Sequence, residues 1–126
     1  MPVNGTEYSR RAAEVAIAVA RACHAPITAL YVAPGGKKRS RRYEEAILKD
    51  ITKLAETYDT EVRTAVRANI ASEEAILEEL ARKQYNLVVI GAGRRPGEKL
   101  FFGDTAAALL EKSERSLLFI ASELTR

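Results

Sequence analysis

The residues whose types could do chemistry are concentrated in segment 91–104, Gly-Ala-Gly-Arg-Arg-Pro-Gly-Glu-Lys-Leu-Phe-Phe-Gly-Asp. Its glycines allow sharp turns and a close approach of the backbone to a ligand. Three basic side chains supply positive charge: Arg94, Arg95 and Lys99. This combination favours the binding of an anionic group such as a phosphate.

The elements predicted on either side would position this segment as an anion site. Before it, the apolar run 87–90 is typical of a buried strand. After it, residues 104–112 predict a helix. A loop between such elements can direct backbone N–H groups and the helix N-terminus toward an anion. The alternative is a tight turn at Gly91 and Gly93 with solvated arginines at its rim, and the segment alone supports both interpretations equally.

Two common phosphate-binding motifs do not fit this segment. The dinucleotide motif G-x-G-x-x-G could begin at Gly91 and Gly93, but its last glycine would fall on Pro96. The P-loop motif ends in Gly-Lys followed by Ser or Thr, and no glycine of the segment is followed in that way. Neither a dinucleotide-binding fold nor a P-loop NTPase is therefore predicted.

Composition indicates one globular domain without a built-in catalytic or metal site. The chain has 126 residues, of which 47% are hydrophobic and 29% charged, as expected for a packed domain. With a single cysteine, Cys23, and a single histidine, His24, it has no disulfide framework, zinc site or nucleophile–histidine pair. We therefore expect no enzymatic activity and no bound metal.

The net charge of +3 is mild, and much of the basic excess lies in segment 37–42. Such a cluster could contact nucleic acid or an anionic membrane surface. It has no interleaved aromatic residues beyond Tyr43, and no nucleic-acid-binding motif surrounds it. A solvated connector is the stronger interpretation, and no nucleic-acid partner is predicted.

Strand and helix patterns alternate along the whole chain. The predicted strands are a stub at 1–3 and segments 27–32, 62–66, 87–90 and 117–121, and predicted helices lie between them. This alternation predicts an α/β fold, a single doubly wound domain with a five-stranded parallel sheet of order 3-2-1-4-5 and helices on both faces. In such sheets ligands bind at the carboxyl ends of the strands beside the point where the order reverses. The loops after the first and fourth strands, at Asn4 and at 91–103, would then meet in one crevice.

Several segments resemble the universal stress protein family across nearly all of the chain. They are Pro-Val-Asn-Gly-Thr-Glu at the end of the first strand, Leu-Tyr-Val at the end of the second, and the glycine segment before the last helix. ATP-binding members of that family carry G-x-x-G-x(9)-G-[ST], and Gly93, nine intervening residues and Gly103 match its second half. The sequence departs from the family pattern at three places: Gly91 is one residue too close to Gly93, Asp104 replaces Ser or Thr, and Asn4 stands where Asp is usual.

The resemblance implies an adenine nucleotide, AMP or ATP, as ligand of a non-enzymatic regulatory domain. The residues it assigns to nucleotide binding are Val3, Asn4, Val32, Gly91, Gly93, Arg94, Gly97, Gly103, Asp104 and Thr105. We expect weak binding, because a carboxylate at Asp104 would compete with a phosphate for the helix N-terminus. Two alternatives stay open: a structural dimerisation domain that has lost nucleotide binding, and, least favoured, an enzyme acting on nucleotides.

Three further expectations concern the context of the domain. The first strand is short for the centre of a sheet, so residues 1–126 are expected to be one domain excised from a longer chain. Residues 94–105 resemble the stress-protein domains appended to monovalent cation–proton antiporters, which implies a place at the cytoplasmic face of the membrane; a freestanding cytoplasmic protein is the alternative. The last strand, 117–121, is an apolar sheet edge and predicts a homodimer.

Overall fold

The computed structural model describes residues 1–33, 41–94 and 103–123, and within these ranges strands and helices alternate as the sequence predicts. The side chains of 92–94, 103–104 and 122–123 lie outside this description. The elements are β1 (Pro2–Val3), α1 (Glu7–Cys23), β2 (Ile27–Val32), α2 (Arg41–Thr57), β3 (Val62–Arg67), α3 (Ser72–Arg82), β4 (Leu87–Arg94), α4 (Gly103–Lys112) and β5 (Ser116–Glu123). No helix in the described ranges combines the length and apolar character needed to cross a membrane.

The first helix has well-defined ends. The Thr6 hydroxyl accepts a hydrogen bond from the Ser9 N–H at 3.2 Å, which satisfies one of the free donors of the first turn. At the other end, His24 has a left-handed backbone with φ of 53°, and its N–H bonds to carbonyls of the last turn. Cys23, just before it, is exposed to solvent.

The strands form two parallel sheets rather than the single five-stranded sheet that the sequence predicts. One sheet has the order β1-β2-β3 and the other pairs β4 with β5. The neighbours 3-2, 2-1 and 4-5 of the predicted order are therefore present, but no β1–β4 pairing is found among the described residues. The physical reason is the length of β1: it has two residues, and Pro2 has no N–H to donate to a second neighbour.

Helices cover both faces of the sheets. On one face, Ala12 and Ala16 of α1 pack on Val89 of β4. On the other, a larger cluster joins β2, α3, β4 and α4 through residues including Leu30, Ile76, Val88 and Leu109. A third cluster lies between β2, α1 and α2. Since the helices contact both sheets, α1 and α3 hold β2 and β4 in one layered molecule.

Strand β4 extends well beyond its predicted end, and the start of α3 has no side-chain cap. Strand β4 continues through Arg94, so Gly91 and Gly93 belong to the strand and pair with Ile120 and Ser122 of β5. Helix α3 begins at Ser72 with Ala71 as its N-cap, and no side chain caps it. The first helical turn instead carries Glu73 and Glu74, whose charges favour a helix N-terminus.

Candidate functional site

A cavity of about 210 Å³ opens at the carboxyl ends of β1, β2 and β4. Its lining residues come from these three strands and from the starts of α1, α3 and α4: Pro2, Val3, Asn4, Tyr8, Ser9, Leu30, Val32, Ser72, Ile76, Ile90, Gly91 and Thr105. The walls combine apolar and polar side chains. Parallel sheets bind ligands at this end because the helices that follow the strands point their N-termini there.

The turn between β1 and α1 forms one wall and is held by its own hydrogen bonds. The Ser9 hydroxyl accepts from the Asn4 N–H at 3.1 Å, and Thr6 caps the helix. Gly5 has φ of 84°, a conformation that favours glycine. The Tyr43 hydroxyl of α2 donates to the Asn4 carbonyl oxygen at 3.3 Å. The backbone around position 4 is therefore fixed from two helices.

The same turn determines which atoms Asn4 offers to the cavity. Its Oδ1 accepts hydrogen bonds from the Thr6 N–H at 3.0 Å and from the Thr6 hydroxyl at 2.6 Å. The backbone N–H can only donate, so it fixes the carboxamide oxygen on the Thr6 side. The remaining polar atom of this side chain is Nδ2, which is a donor. An aspartate here would keep the contacts to Thr6 and present an acceptor instead.

The β4 wall depends on the absence of a side chain at Gly91. A Cβ placed there would lie 2.8 Å from the carbonyl carbon of Tyr8, closer still to its carbonyl oxygen, and 3.2 Å from the Cβ of Ala12. No positive φ accompanies this residue. The alternative interpretation of a tight turn at Gly91 and Gly93 is therefore wrong, because both lie in β4 and Gly91 lets the first turns of α1 approach the strand.

The first turns of three helices contribute to the cavity, α1 through Tyr8 and Ser9. Ser72 is the first residue of α3, and Thr105 lies in the first turn of α4. The free N–H groups and dipoles of such ends favour a negatively charged ligand, each by about 0.3–1 kcal/mol at an exposed site. Within the ranges that the structure describes, no group of three or more His, Cys, Asp or Glu could hold a metal ion. The arrangement is suited to binding a small molecule with an apolar part and an anionic part.

The structure brings five of the ten predicted site residues to this cavity: Val3, Asn4, Val32, Gly91 and Thr105. Gly93 and Arg94 continue β4 beyond it, and Gly103 and Asp104 begin α4. Gly97, like Arg95 and Lys99, lies outside the described residues, as do the side chains of Arg94 and Asp104.

Sequence reasoning missed the walls that the helices contribute. Tyr8 and Ser9 come from α1, and Ser72 and Ile76 from α3. Ser72 had a usable signal, since the loop after β3 opens at the same end of the molecule as the loops after β1 and β4. Tyr8 had none, because its position depends on how closely α1 approaches Gly91.

A parallel α/β domain with a cavity at its strand ends, beside helix N-termini, has the architecture in which small-molecule sites are commonly found. The chain is a member of the universal stress protein family, whose model matches residues 1–121. Its structure is similar to a universal stress protein from Archaeoglobus fulgidus, with a TM-score of 0.78, 19% identity, and coverage of 94% of each chain.

Two similar structures contain a nucleotide. The first is the universal stress protein from Archaeoglobus fulgidus in complex with dAMP, with a TM-score of 0.73, 14% identity, and coverage of 94% of this chain and 93% of that one. The second is a universal stress protein in complex with cAMP, with a TM-score of 0.76, 19% identity, and coverage of 96% and 93%. A comparison with curated protein sequences gave no match.

We predict that Gly91→Ala lowers the free energy of unfolding by about 1–3 kcal/mol, the range in which overpacking falls. The obstacle is the Tyr8 carbonyl, a backbone group that cannot rotate away. Urea unfolding of Gly91→Ala, Ala12→Gly and the double variant measures this. If the backbone is the obstacle, Gly91→Ala costs nearly the same with or without the Ala12 methyl; a rescue by Ala12→Gly would contradict that assignment.

Proposed function

We propose that this chain is a non-enzymatic regulatory domain that binds an adenine nucleotide in the cavity at its strand ends. The observation that carries the proposal is the convergence of Val3, Asn4, Val32, Gly91 and Thr105, chosen from sequence, on one cavity. The dAMP and cAMP complexes of structurally similar family members support an adenine nucleotide as the ligand class.

The parts of the cavity match the parts of a nucleotide. Val32, Ile76 and Ile90 provide apolar walls of the kind that a purine base contacts. Asn4 provides a hydrogen-bond donor for the base or the ribose. Thr105, in the first turn of α4, lies where a phosphate would benefit from the helix N-terminus.

Two features argue for weak binding and for a small nucleotide. The cavity of about 210 Å³ is smaller than the roughly 300–1,000 Å³ of pockets that enclose most of a drug-sized ligand. It would therefore enclose only part of a nucleotide. Asp104 is the second residue of α4, and a carboxylate at that position of a helix is stabilised by the same dipole that a phosphate would use. AMP fits these limits better than ATP does.

Calorimetric titration with adenosine, AMP, ATP and GMP tests this function. We expect AMP to bind about two- to fivefold more tightly than adenosine, which is the effect of one exposed helix dipole. Ser72→Phe should weaken the binding of AMP at least tenfold, because the new side chain at the exposed start of α3 would fill the cavity. Ala107→Phe, on the exposed face of α4, is the matched control and should bind like the unmodified chain. Equal losses in both variants, or no heat with any nucleotide, would overturn the proposal.

The same titrations test the non-enzymatic part of the proposal. We expect AMP and ATP to be recovered unchanged after prolonged incubation with the chain. Chromatography of the nucleotides checks this, and turnover that Ser72→Phe abolishes would make the chain an enzyme.

We predict that Asn4→Asp strengthens the binding of adenosine more than the binding of AMP. The carboxylate keeps the bonds to Thr6 and replaces a neutral donor by a charged acceptor for ribose hydroxyls, a change worth about 1 kcal/mol or fivefold. The added charge would repel a phosphate, so AMP should gain less. Thr6→Val is the control that removes the hydroxyl contact to Asn4 without adding charge. Equal gains for the two ligands would show that the phosphate lies far from position 4.

We also propose that the domain forms a homodimer through β5. One edge of β5 pairs with β4, and no strand of the described ranges pairs with its other edge. Leu118 and Ile120 pack inward near α1, and Leu117 and Phe119 near α3 and α4. The surface available for pairing therefore consists of the unpaired backbone edge of β5 and the exposed parts of these half-buried side chains.

Sedimentation equilibrium at micromolar concentration should give a dimer. Ala121→Lys, at an exposed position of β5, should weaken association at least tenfold, because a charged edge strand resists pairing. Ala107→Lys, exposed on α4, is the matched control. A monomer at 100 micromolar, roughly the upper range of such measurements, would exclude this interface. A dimer that binds no nucleotide would favour the alternative function, a structural dimerisation domain.

The regulatory target we propose is a monovalent cation–proton antiporter, at the cytoplasmic face of the membrane. The proposal is supported by the resemblance of residues 94–105 to stress-protein domains appended to such transporters. Cation flux through an antiporter carrying this domain should respond to AMP, and the response should disappear with Ser72→Phe. Cation flux that responds neither to AMP nor to Ser72→Phe would contradict this role.

A further inference from the structure

The turn that carries Asn4 lies between two cavities. On one side is the cavity at the strand ends, which Asn4 lines together with Val3 and Ser9. On the other side is a second cavity of about 190 Å³, the α1–α2 cavity, which Val3, Gly5 and Ser9 line together with residues of α2. Since open space borders the turn on both sides, close packing alone does not fix its position.

Local hydrogen bonds determine the shape of this turn. The Ser9 hydroxyl accepts from the Asn4 N–H, and the Asn4 Oδ1 accepts from the N–H and the hydroxyl of Thr6. These bonds join residues that are two or five positions apart, so they move with the turn. The sheet holds only its beginning, through the pairing of Val3 with Tyr31. The place of Asn4 on the cavity wall therefore depends on a contact from elsewhere in the chain.

Tyr43, in the first turn of α2, supplies such a contact. Its hydroxyl donates to the Asn4 carbonyl oxygen at 3.3 Å, and the two residues are 39 positions apart in the chain. The same hydroxyl lies against Gly5, because a Cβ at that glycine would come within 2.8 Å of the hydroxyl oxygen. The middle of the turn is therefore seated against α2 at the hydroxyl of Tyr43.

Helix α2 is itself fixed to the sheet independently of this hydroxyl. Ile47 and Ile51 of α2 are buried in the core cluster that also contains Val3. Tyr43 lies one helical turn before Ile47 and is 52% exposed. Because Tyr43 is half exposed, removal of its hydroxyl should leave the core of the domain intact and affect mainly the turn.

We propose that Tyr43 is a positioning residue for the ligand of the cavity at the strand ends, an inference that rests on the proposed function. Its hydroxyl holds the backbone of Asn4, and thereby the Asn4 side chain, in the arrangement that the ligand requires. Without this hydrogen bond the turn can shift toward the α1–α2 cavity. A smaller fraction of the molecules is then ready to bind, and the apparent affinity falls by that fraction.

Calorimetric titration of AMP into Tyr43→Phe tests the inference. The substitution keeps the ring and removes the hydroxyl, so AMP should bind about three- to tenfold more weakly, as expected for the loss of one hydrogen bond. Tyr58→Phe is the matched control. It removes a hydroxyl just beyond the other end of α2, where Tyr58 lines neither cavity, and it should bind AMP like the unmodified chain.

A destabilised variant separates positioning from a general loss of stability. Ala55→Gly, in the last turn of α2, should lower Tm because glycine is a poor helix former, yet it leaves the Tyr43 hydroxyl in place. Its affinity for AMP should equal that of the unmodified chain. If Ala55→Gly weakens AMP binding as much as Tyr43→Phe does, affinity follows stability and the positioning role is excluded.

Hydrogen exchange examines the turn in the absence of any ligand. Tyr43→Phe should speed exchange of the Asn4 and Thr6 amides about three- to tenfold, because the turn opens more often once the hydrogen bond is lost. Amides in the α1 segment 16–20 serve as the internal reference. Exchange that rises equally in both places, or in neither, would show that Tyr43 does not hold the turn.

The titrations also distinguish failure of this inference from failure of the proposed function. If the unmodified chain binds AMP and Tyr43→Phe binds it equally well, the positioning role is excluded and the nucleotide function stands. If the unmodified chain binds none of the nucleotides, the proposed function is excluded and the inference with it.

Discussion

The close packing of α1 on β4 at Gly91 is the constraint on which the rest of the structure depends. Within the described residues β1 and β4 are not paired, so helix packing rather than backbone hydrogen bonds connects the two sheets. The carbonyl of Tyr8 lies where a side chain at position 91 would be. Since Tyr8 follows the Asn4–Thr6 turn closely, this contact also places Asn4 beside the end of β4, and the cavity exists because of it.

Sequence patterns predicted the elements well, because each depends on local periodicity. The helices and strands from β2 to β5 lie where apolar spacing indicated, and the neighbours 3-2, 2-1 and 4-5 are correct. The predicted pairing of β1 with β4 in the middle of the sheet was wrong. It depends on the length of β1, whose two residues cannot form hydrogen bonds to neighbours on both sides. Gly91 was misinterpreted for a related reason: glycine in a sequence indicates a turn, whereas close packing is visible only in three dimensions.

The candidate site was predictable to the extent that topology determines it. The carboxyl ends of parallel strands share one edge, so Val3, Val32 and Gly91 could be placed together from strand order alone. The contribution of Tyr8 and Ser72 depends on helix packing and could not. The donor character of Asn4 was also beyond sequence reasoning, because it results from the two bonds that Thr6 makes to Oδ1.

The position of the cavity has a consequence for the cohesion of the whole domain. Asn4 and Val32 belong to the half built on β1, β2 and β3, whereas Gly91 and Thr105 belong to the half built on β4, β5 and α4. A molecule bound between them would link two sheets that share no strand pairing within the described residues. Its binding free energy would therefore add to the free energy that holds the two halves together. Ligand binding and cooperative unfolding of the domain would then be thermodynamically linked.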